Sequence, residues 1–342
     1  MACTDDVLIV GRGIAGAMLT EVLRSRGLRV HVFDVPRPGA ASRVAAGVVN
    51  PVVLRRDVPS WRAAELLPLA ARTYTAFGER HGLRVWHPTE LVKLFPTPKE
   101  AEQWRRAMDD TATAPFIDQR AQPEVEAAPI AAPHGHGTVV RSAWLDVPAL
   151  LDAQRAELLR DGALTEVEVA QVREEADAVH IHARSAPLMI WCNGAFGDVA
   201  GLVPVKGEGL TVRIPGLRLT RMVHRGVFLL PTPALGPEVY RVGATFKWDE
   251  VWAGATEEGR RWLLEKVARI TDRLVEPLDQ WAGVRPAAKD RRPLLGRITA
   301  RQAVLNGLGS RGVLLAPWCA QHLAVHLFDG LALDPEVDVA RG

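Results

Sequence analysis

An apolar β-branched run, a glycine turn opening a helix, and a second apolar run ending on an acid predict an α/β fold that starts with a Rossmann-like βαβ unit. Farther along, alternation at Leu210/Val212, Val227/Leu229 and Tyr240/Val242 predicts a second, mostly antiparallel sheet. Residues 6–10 read as a strand buried on both faces. Gly11 to Gly16 turn the chain, Met18, Val22 and Leu23 recur at helical spacing over 17–26, and Gly27 ends that helix. Residues 28–34 are the second strand, parallel to the first through a right-handed crossover.

From 35 to 60 the composition shifts to Pro, Gly, Ala and Arg, which predicts a long loop of the functional kind. An amphipathic helix over 61–80 carries Leu66, Ala70, Tyr74 and Phe77 on one stripe. A strand at 90–95 and a helix at 99–108 follow, and the Ala- and Pro-rich stretch 109–133 reads as surface loop. Next come a strand at 138–142, a helix at 147–159, and short strands at 165–169, 178–183 and 187–192. Residues 207–245 are strand-like and 256–273 form a long amphipathic helix. A strand at 303–306, a glycine turn and a helix at 314–328 close the chain.

The 342 residues suit about two domains, and 48% hydrophobic content can fill a large core. A net charge of +2 without a run of like charges makes a nucleic-acid partner an unfavoured expectation. Cys3, Cys192 and Cys319 have no metal-type spacing and read as reduced thiols. His134 and His136 lack a third ligand at suitable spacing, so no metal is expected. The first strand starts almost at once, leaving no room for a signal peptide, and no apolar run is long enough to span a membrane. A cytoplasmic protein is the expectation.

Gly11-Arg12-Gly13-Ile14-Ala15-Gly16 fits the dinucleotide fingerprint. Gly11 permits the turn, Gly13 lets backbone amides approach a pyrophosphate, and Gly16 lets helix and strand pack closely. The helix N-terminus adds a partial positive charge. Asp34 can accept both hydroxyls of an adenosine ribose and would repel a 2′-phosphate, which argues against NADP. FAD and NAD both remain open on this motif.

Further clusters lie along the chain: Ala41-Ser42-Arg43-Val44-Ala45-Ala46-Gly47, Cys192-Asn193-Gly194, Gly283-Val284-Arg285-Pro286 running into Asp290, Pro293 and Gly296, and Gly307-Leu308-Gly309-Ser310-Arg311-Gly312 before a helix. In these residues, taken in order over nearly the whole chain, the sequence resembles the D-amino-acid oxidase family of flavoenzymes. Its C-terminal third is most similar to glycine oxidase and to the oxidase domain of a bifunctional tRNA wobble-uridine modification enzyme.

The resemblance implies a discontinuous FAD-binding domain (residues 1–60, 137–205 and 276–342) with an inserted α+β substrate domain (61–136 and 206–275). It implies non-covalent FAD. Gly11, Gly13, Ile14, Ala15, Gly16 and Asp34 would hold the ADP half, and Ser42, Arg43, Ala46 and Gly47 would border the pyrophosphate and flavin. Val167 or Val169 would contact adenine, Asn193 and Gly194 would sit beside the isoalloxazine, and Gly309, Ser310, Arg311 and Gly312 would close over it. Arg285 and Arg311 match arginines placed near a substrate carboxylate, which a planar guanidinium binds in bidentate fashion.

The expected reaction is oxidation of a small amine or amino acid to an imine that then hydrolyses, with O2 or a quinone or protein as electron acceptor. A modified tRNA nucleoside as substrate, a flavin-binding subunit without turnover, and NAD-dependent dehydrogenation are the competing readings. Lys206 sits on the strand that crosses toward the substrate domain and reads equally as a solvated lysine. Tyr240, Trp61, Trp248 and Trp252 are candidate pocket walls, each also readable as core.

Overall fold

The computed structural model describes residues 3–119 and 130–341. A six-stranded sheet runs in the order Leu294–Arg297, Gln302–Asn306, Leu188–Trp191, Val7–Val10, Val30–Phe33, Leu164–Thr165. It is parallel except at Leu294–Arg297. Every residue of Val7–Val10 and Val30–Phe33 is buried, as the unbroken apolar runs require of strands covered on both faces. Helix Ile14–Ser25 packs Ala17, Met18, Leu19 and Leu23 beneath the sheet. A three-stranded antiparallel sheet (Arg184–Ala186, Val179–Ile181, Arg173–Glu174) forms a small satellite beside it.

The second sheet has eight strands, ordered Glu276–Ala288, Leu202–Arg213, Val239–Gly243, Phe228–Pro231, Met222–His224, Trp86–Leu94, His136–Leu145, Val48–Val49. Only the pairing of Met222–His224 with Trp86–Leu94 is parallel. Cross-strand partners share a face. One face carries Leu210, Val242, Leu229, Val223 and Val92, packed with Leu263 and Val267 of helix Glu257–Val267. Leu230, Met222, Leu91 and Val139 on the other face join the core that contains helices Ile14–Ser25, Ala63–His81 and Gly312–Asp329. This second face looks toward the parallel sheet.

The Rossmann-like sheet and the mostly antiparallel sheet are those the sequence predicts, but several segments differ in detail. Strand His136–Leu145 and the segment 276–288, which the resemblance assigns to the cofactor domain and which forms strand Glu276–Ala288, pair into the eight-stranded sheet. Helix Ala63–His81 ties itself to the opposite part through Tyr74, whose hydroxyl donates to the Val313 carbonyl at 2.8 Å. The long loop 35–60 contains helix Ala41–Val44 and a hairpin of Val52–Val53 with Val58–Pro59. The strand expected at 165–169 is only Leu164–Thr165. The helix expected over 256–273 is capped by Thr256 and stops at Val267. Within the stretch 109–133, Phe116 and Ile117 are buried on a short turn, whereas residues 120–129 lie outside those described. No helix among the described residues is long and apolar enough to cross a membrane.

Candidate active site

The fingerprint turn is built from backbone approaching backbone. A Cβ on Gly11 would stand 2.5 Å from the Cys192 carbonyl oxygen, and one on Gly16 would stand 1.9 Å from the oxygen of Gly11. Gly11 also has φ +99°, the left-handed region that favours glycine. Helix Ile14–Ser25 has no side-chain cap at Gly13 and no acid in its first turn. The Ile14 amide donates to the Ser42 hydroxyl at 3.0 Å, which brings the Ala41–Val44 helix against the fingerprint. At the other end of the chain, helix Gly312–Asp329 likewise starts without a side-chain cap or an acid, and a Cβ on Gly312 would lie 3.2 Å from Cγ2 of Ile14. Two positive helix N-termini therefore meet, a local field suited to a phosphate-bearing ligand.

Asp34 lies past the end of its strand and accepts the Arg12 amide at 2.9 Å. Burial raises its pKa, opposed by the Arg12 bond and charge. The Arg12 side chain is itself buried, donates to the Leu151 carbonyl, and keeps Nε 3.8 Å from the second Asp34 oxygen. Among the described residues, the buried atoms Arg12 Nε, Asn193 Oδ1 and Trp281 Nε1 make no hydrogen bond. Asn193 precedes Gly194, whose carbonyl accepts Asn306 Nδ2 at 3.0 Å, and Pro286 is the nearest group to a Cβ built on Gly194, at 4.0 Å. Open helix ends, orphaned polar atoms and a free edge of Asp34 together fit a dinucleotide laid across the C-terminal edge of the parallel strands.

Other expected residues fall as follows. Arg43 turns outward to an ion pair with Asp152. Ala46 is buried, and Gly47 is pressed on the Leu145 carbonyl, 1.9 Å from where its Cβ would stand. Val167 and Val169 are half-buried against the satellite core in an irregular stretch. Gly309, Ser310 and Arg311 form a single 3-10 turn next to strand Glu276–Ala288, joined by the Ala287–Leu308 bridge. Arg311 donates to the Arg291 carbonyl at 3.3 Å, and burial together with Arg292, Arg291 and Arg56 pulls its pKa down.

Arg285 crosses to Gly207 on the adjacent strand and lies flat on it. A Cβ there would be 2.0 Å from Nη2. Nη1 donates to the carbonyls of Lys206 (3.3 Å) and Thr245 (3.1 Å), and the guanidinium stacks 4.2 Å from the Phe246 ring centre. Burial pushes its pKa down to about 10. No carboxylate pairs with it among the described residues, so the desolvation of this half-buried guanidinium is not offset by an opposite charge. An anionic ligand group would offset it.

Sequence reasoning passed over the neighbours of Arg285. Trp281 lies on Gly209 in the same way, 2.0 Å from a Cβ there, and Arg241 stacks over Trp281 at 4.9 Å. Glycines at 207 and 209, two apart on a strand, were the available signal: they strip one sheet face bare so that side chains of the next strand can lie on it. Lys206 points to the opposite face. It is 1% exposed and paired with Glu208 at 3.1 Å, so it is no solvated lysine. Tyr240 is core, Trp61 packs edge-on against Trp318, and Trp248 and Trp252 are 63% and 50% exposed. Cys319 is buried packing in the last helix.

A family model described as FAD dependent oxidoreductase (DAO) matches residues 6–325. The chain is 26% identical over 339 residues to the tRNA 5-methylaminomethyl-2-thiouridine biosynthesis bifunctional protein MnmC of Caulobacter sp. (strain K31), covering 93% of this chain and 54% of that protein. It is 27% identical over 347 residues to the MnmC of Caulobacter vibrioides, covering 95% and 55%. The chain thus spans about half the length of the curated relatives it matches. Among solved structures, iminodiacetate oxidase from Chelativorans sp. BNC1 superposes with a TM-score of 0.81 at 21% identity, covering 97% of this chain and 98% of that one. Glycine oxidase from Geobacillus kaustophilus superposes at 0.79 and 22% identity, covering 100% of each. With the family model spanning most of its length, the chain belongs to the DAO family of FAD-dependent oxidoreductases.

Proposed function

We propose that the enzyme oxidises a small amine carrying a carboxylate, an amino acid or an N-substituted one, to an imine that water then hydrolyses. The observation that carries this reading is Arg285: a half-buried guanidinium with free donors and no acid partner among the described residues, on the sheet face turned toward the expected cofactor. In this reading the parallel sheet carries non-covalently held FAD and the eight-stranded sheet carries the substrate; strands His136–Leu145 and Glu276–Ala288 then go with the substrate sheet, although the division 1–60, 137–205 and 276–342 against 61–136 and 206–275 sets them with the cofactor. Gly11 to Gly16, Ser42, Gly194 and Gly309 to Gly312 border the cofactor, and Asp34 receives the adenosine ribose.

Bound FAD supplies the two-electron oxidant that accepts the hydride of the α-carbon. The chain's own task is orientation. Arg285 fixes the carboxylate, and the Lys206 and Thr245 carbonyls and the Phe246 ring fix Arg285. Arg311, on the 3-10 turn beside strand Glu276–Ala288, is held by the Arg291 carbonyl and is the second candidate cation. The three free cysteines agree with the reducing, cytoplasmic setting that the reading includes.

The test is an anaerobic panel of amines and amino acids scored by bleaching of the flavin band. Bleaching by carboxylated amines and not by their decarboxylated analogues is the expected result; the reverse preference would remove the reading. Peroxide formed in air then separates O2 from a quinone or protein acceptor. A second reading, oxidation of a modified tRNA nucleoside, is supported by the bifunctional relatives. Its signature is RNA binding that weakens steeply with salt.

A further inference from the structure

Arg241 lies on the same sheet face as Arg285, in register with Thr211 and Leu230, but its guanidinium is taken up by backbone carbonyls of another segment. Its Nη1 donates to the Ala45 carbonyl at 2.9 Å and its Nη2 to the Val44 carbonyl. These are the last carbonyls of helix Ala41–Val44, the segment whose Ser42 hydroxyl accepts the Ile14 amide at the fingerprint. Trp281 sets the plane of the guanidinium from one side, 4.9 Å away. The same short helix sits on Gly283 of the strand that carries Trp281, so closely that a Cβ there would stand 2.5 Å from Val44 Cγ2. The segment 41–45 is therefore gripped on one side by the fingerprint turn and on the other by Arg241 and Gly283.

We propose that Arg241 is a positioning residue for FAD: it braces the Ala41–Gly47 segment from the substrate sheet, so that Ser42 and the backbone up to Gly47 are held at the pyrophosphate and flavin. A four-residue helix has little stability of its own, and its terminal carbonyls are satisfied here by a cation from another sheet. The fork reaches two successive carbonyls at once from two nitrogens in one rigid plane, which an ammonium does not reproduce. A consequence is that a residue of the substrate sheet sets cofactor affinity. The inference rests on the reading that residues 41–47 border FAD.

The experiment titrates FAD into apoprotein for the parent, Arg241→Met, Arg241→Lys and Ser42→Asp, reading flavin fluorescence quenching and the visible circular dichroism of the bound flavin. Arg241→Met is expected to raise the FAD Kd at least tenfold and to alter the visible dichroism. Arg241→Lys, keeping the charge and one donor, is expected to raise it less and to restore part of the spectrum. A Kd within twofold of the parent for Arg241→Met, with unchanged dichroism, overturns the proposal. If Arg241→Met does not fold, Arg241→Lys decides: a raised Kd with a parental far-ultraviolet spectrum supports the brace, and a parental Kd overturns it. Ser42→Asp sets a carboxylate against the pyrophosphate and tests the underlying reading. A weakened Ser42→Asp beside an unaffected Arg241→Met sinks the brace alone, whereas two unaffected variants sink the placement of FAD at 41–47 as well.

Discussion

Glycines serve opposite purposes in the two sheets. At the rim of the parallel sheet, Gly11 and Gly16 let backbone press on backbone, and the product is a pair of exposed helix N-termini. On the face of the eight-stranded sheet, Gly207 and Gly209 leave floor space on which Arg285 and Trp281 of the neighbouring strand lie flat. The first arrangement offers a ligand main-chain dipoles, whose chemistry is the same whichever side chains surround them. The second offers two or three long side chains lying where the glycines leave room beneath them. The rim is thus suited to a cofactor common to a family, and the floor to a substrate peculiar to one member.

The sharpest way to break this comparison is at the rim. Gly16→Ala puts a methyl 1.9 Å from the Gly11 carbonyl oxygen, a contact with backbone that cannot swing away. Overpacking of this kind costs about 3 kcal/mol or more. The variant should lose bound flavin and unfold at a clearly lower denaturant concentration. A flavin-to-protein ratio and midpoint equal to the parent's would show that the tight turn is dispensable.

Arg285→Met comes next and should leave the rim intact. Flavin content should stay parental, while kcat/KM for carboxylated amines falls about 10²–10³-fold, the loss expected of a charge-assisted bidentate contact of about 3–4 kcal/mol. Simple amines should be affected far less. An equal fall for both substrate classes would end the anchoring role.

These two variants also mark what could be read from the sequence. The fingerprint, Asp34 and the last glycine turn are local: their geometry is set within a few residues, and the chain spells it out in order. Arg285 was legible only through resemblance to a family. Trp281 and Arg241 were not legible at all, because their meeting depends on the pairing of Gly209 with both Trp281 and Gly243, a register that joins residues 72 and 34 positions apart. Strand Glu276–Ala288 escaped notice for a related reason. Its half-buried edge mixes Pro277, Asp279, Gln280 and Arg285 with apolar residues, so no clean alternation marks it. Helix Glu257–Val267 was overextended because the apolar spacing continues through Ile270, which is buried in the turn after the helix.

A smaller effect concerns the far end of the same sheet face. His224 pairs in register with Lys93, and burial, assisted by the Lys93 charge, pushes its pKa down to about 4 from 6.5. The folded chain thus binds fewer protons than the unfolded one between those values, and stability should fall as the pH drops from about 6.5 to 4, then level off. The contribution is at most about 3 kcal/mol. Thermal melts across this range should show the slope in the parent and a flatter curve in His224→Gln. An identical slope in both would assign the acid sensitivity elsewhere. At the rim the glycine turns do not titrate, and Asp34 beside them, its pKa raised by burial, acts with the opposite sign.

Gly207→Ala is the mildest change and discriminates best between the two uses of glycine. The new methyl would fall 2.0 Å from Arg285 Nη2 and 2.3 Å from its Cζ, both on the far end of a flexible side chain. Gly207 is not among the glycines at positive φ, so an alanine meets no backbone strain there. The strand should therefore stay and the guanidinium should lift, giving up its bonds to the Lys206 and Thr245 carbonyls. Stability should change by no more than about 1 kcal/mol, since a rotamer shift relieves the clash. FAD Kd should be parental, and KM for a carboxylated amine should rise about tenfold with kcat less affected, because the anchor still exists but is no longer preset. This is the inverse of Gly16→Ala, which costs cofactor and fold before substrate. If Gly207→Ala instead loses flavin while keeping its KM, the floor of the eight-stranded sheet serves the cofactor, and the division of labour between the two sheets is wrong.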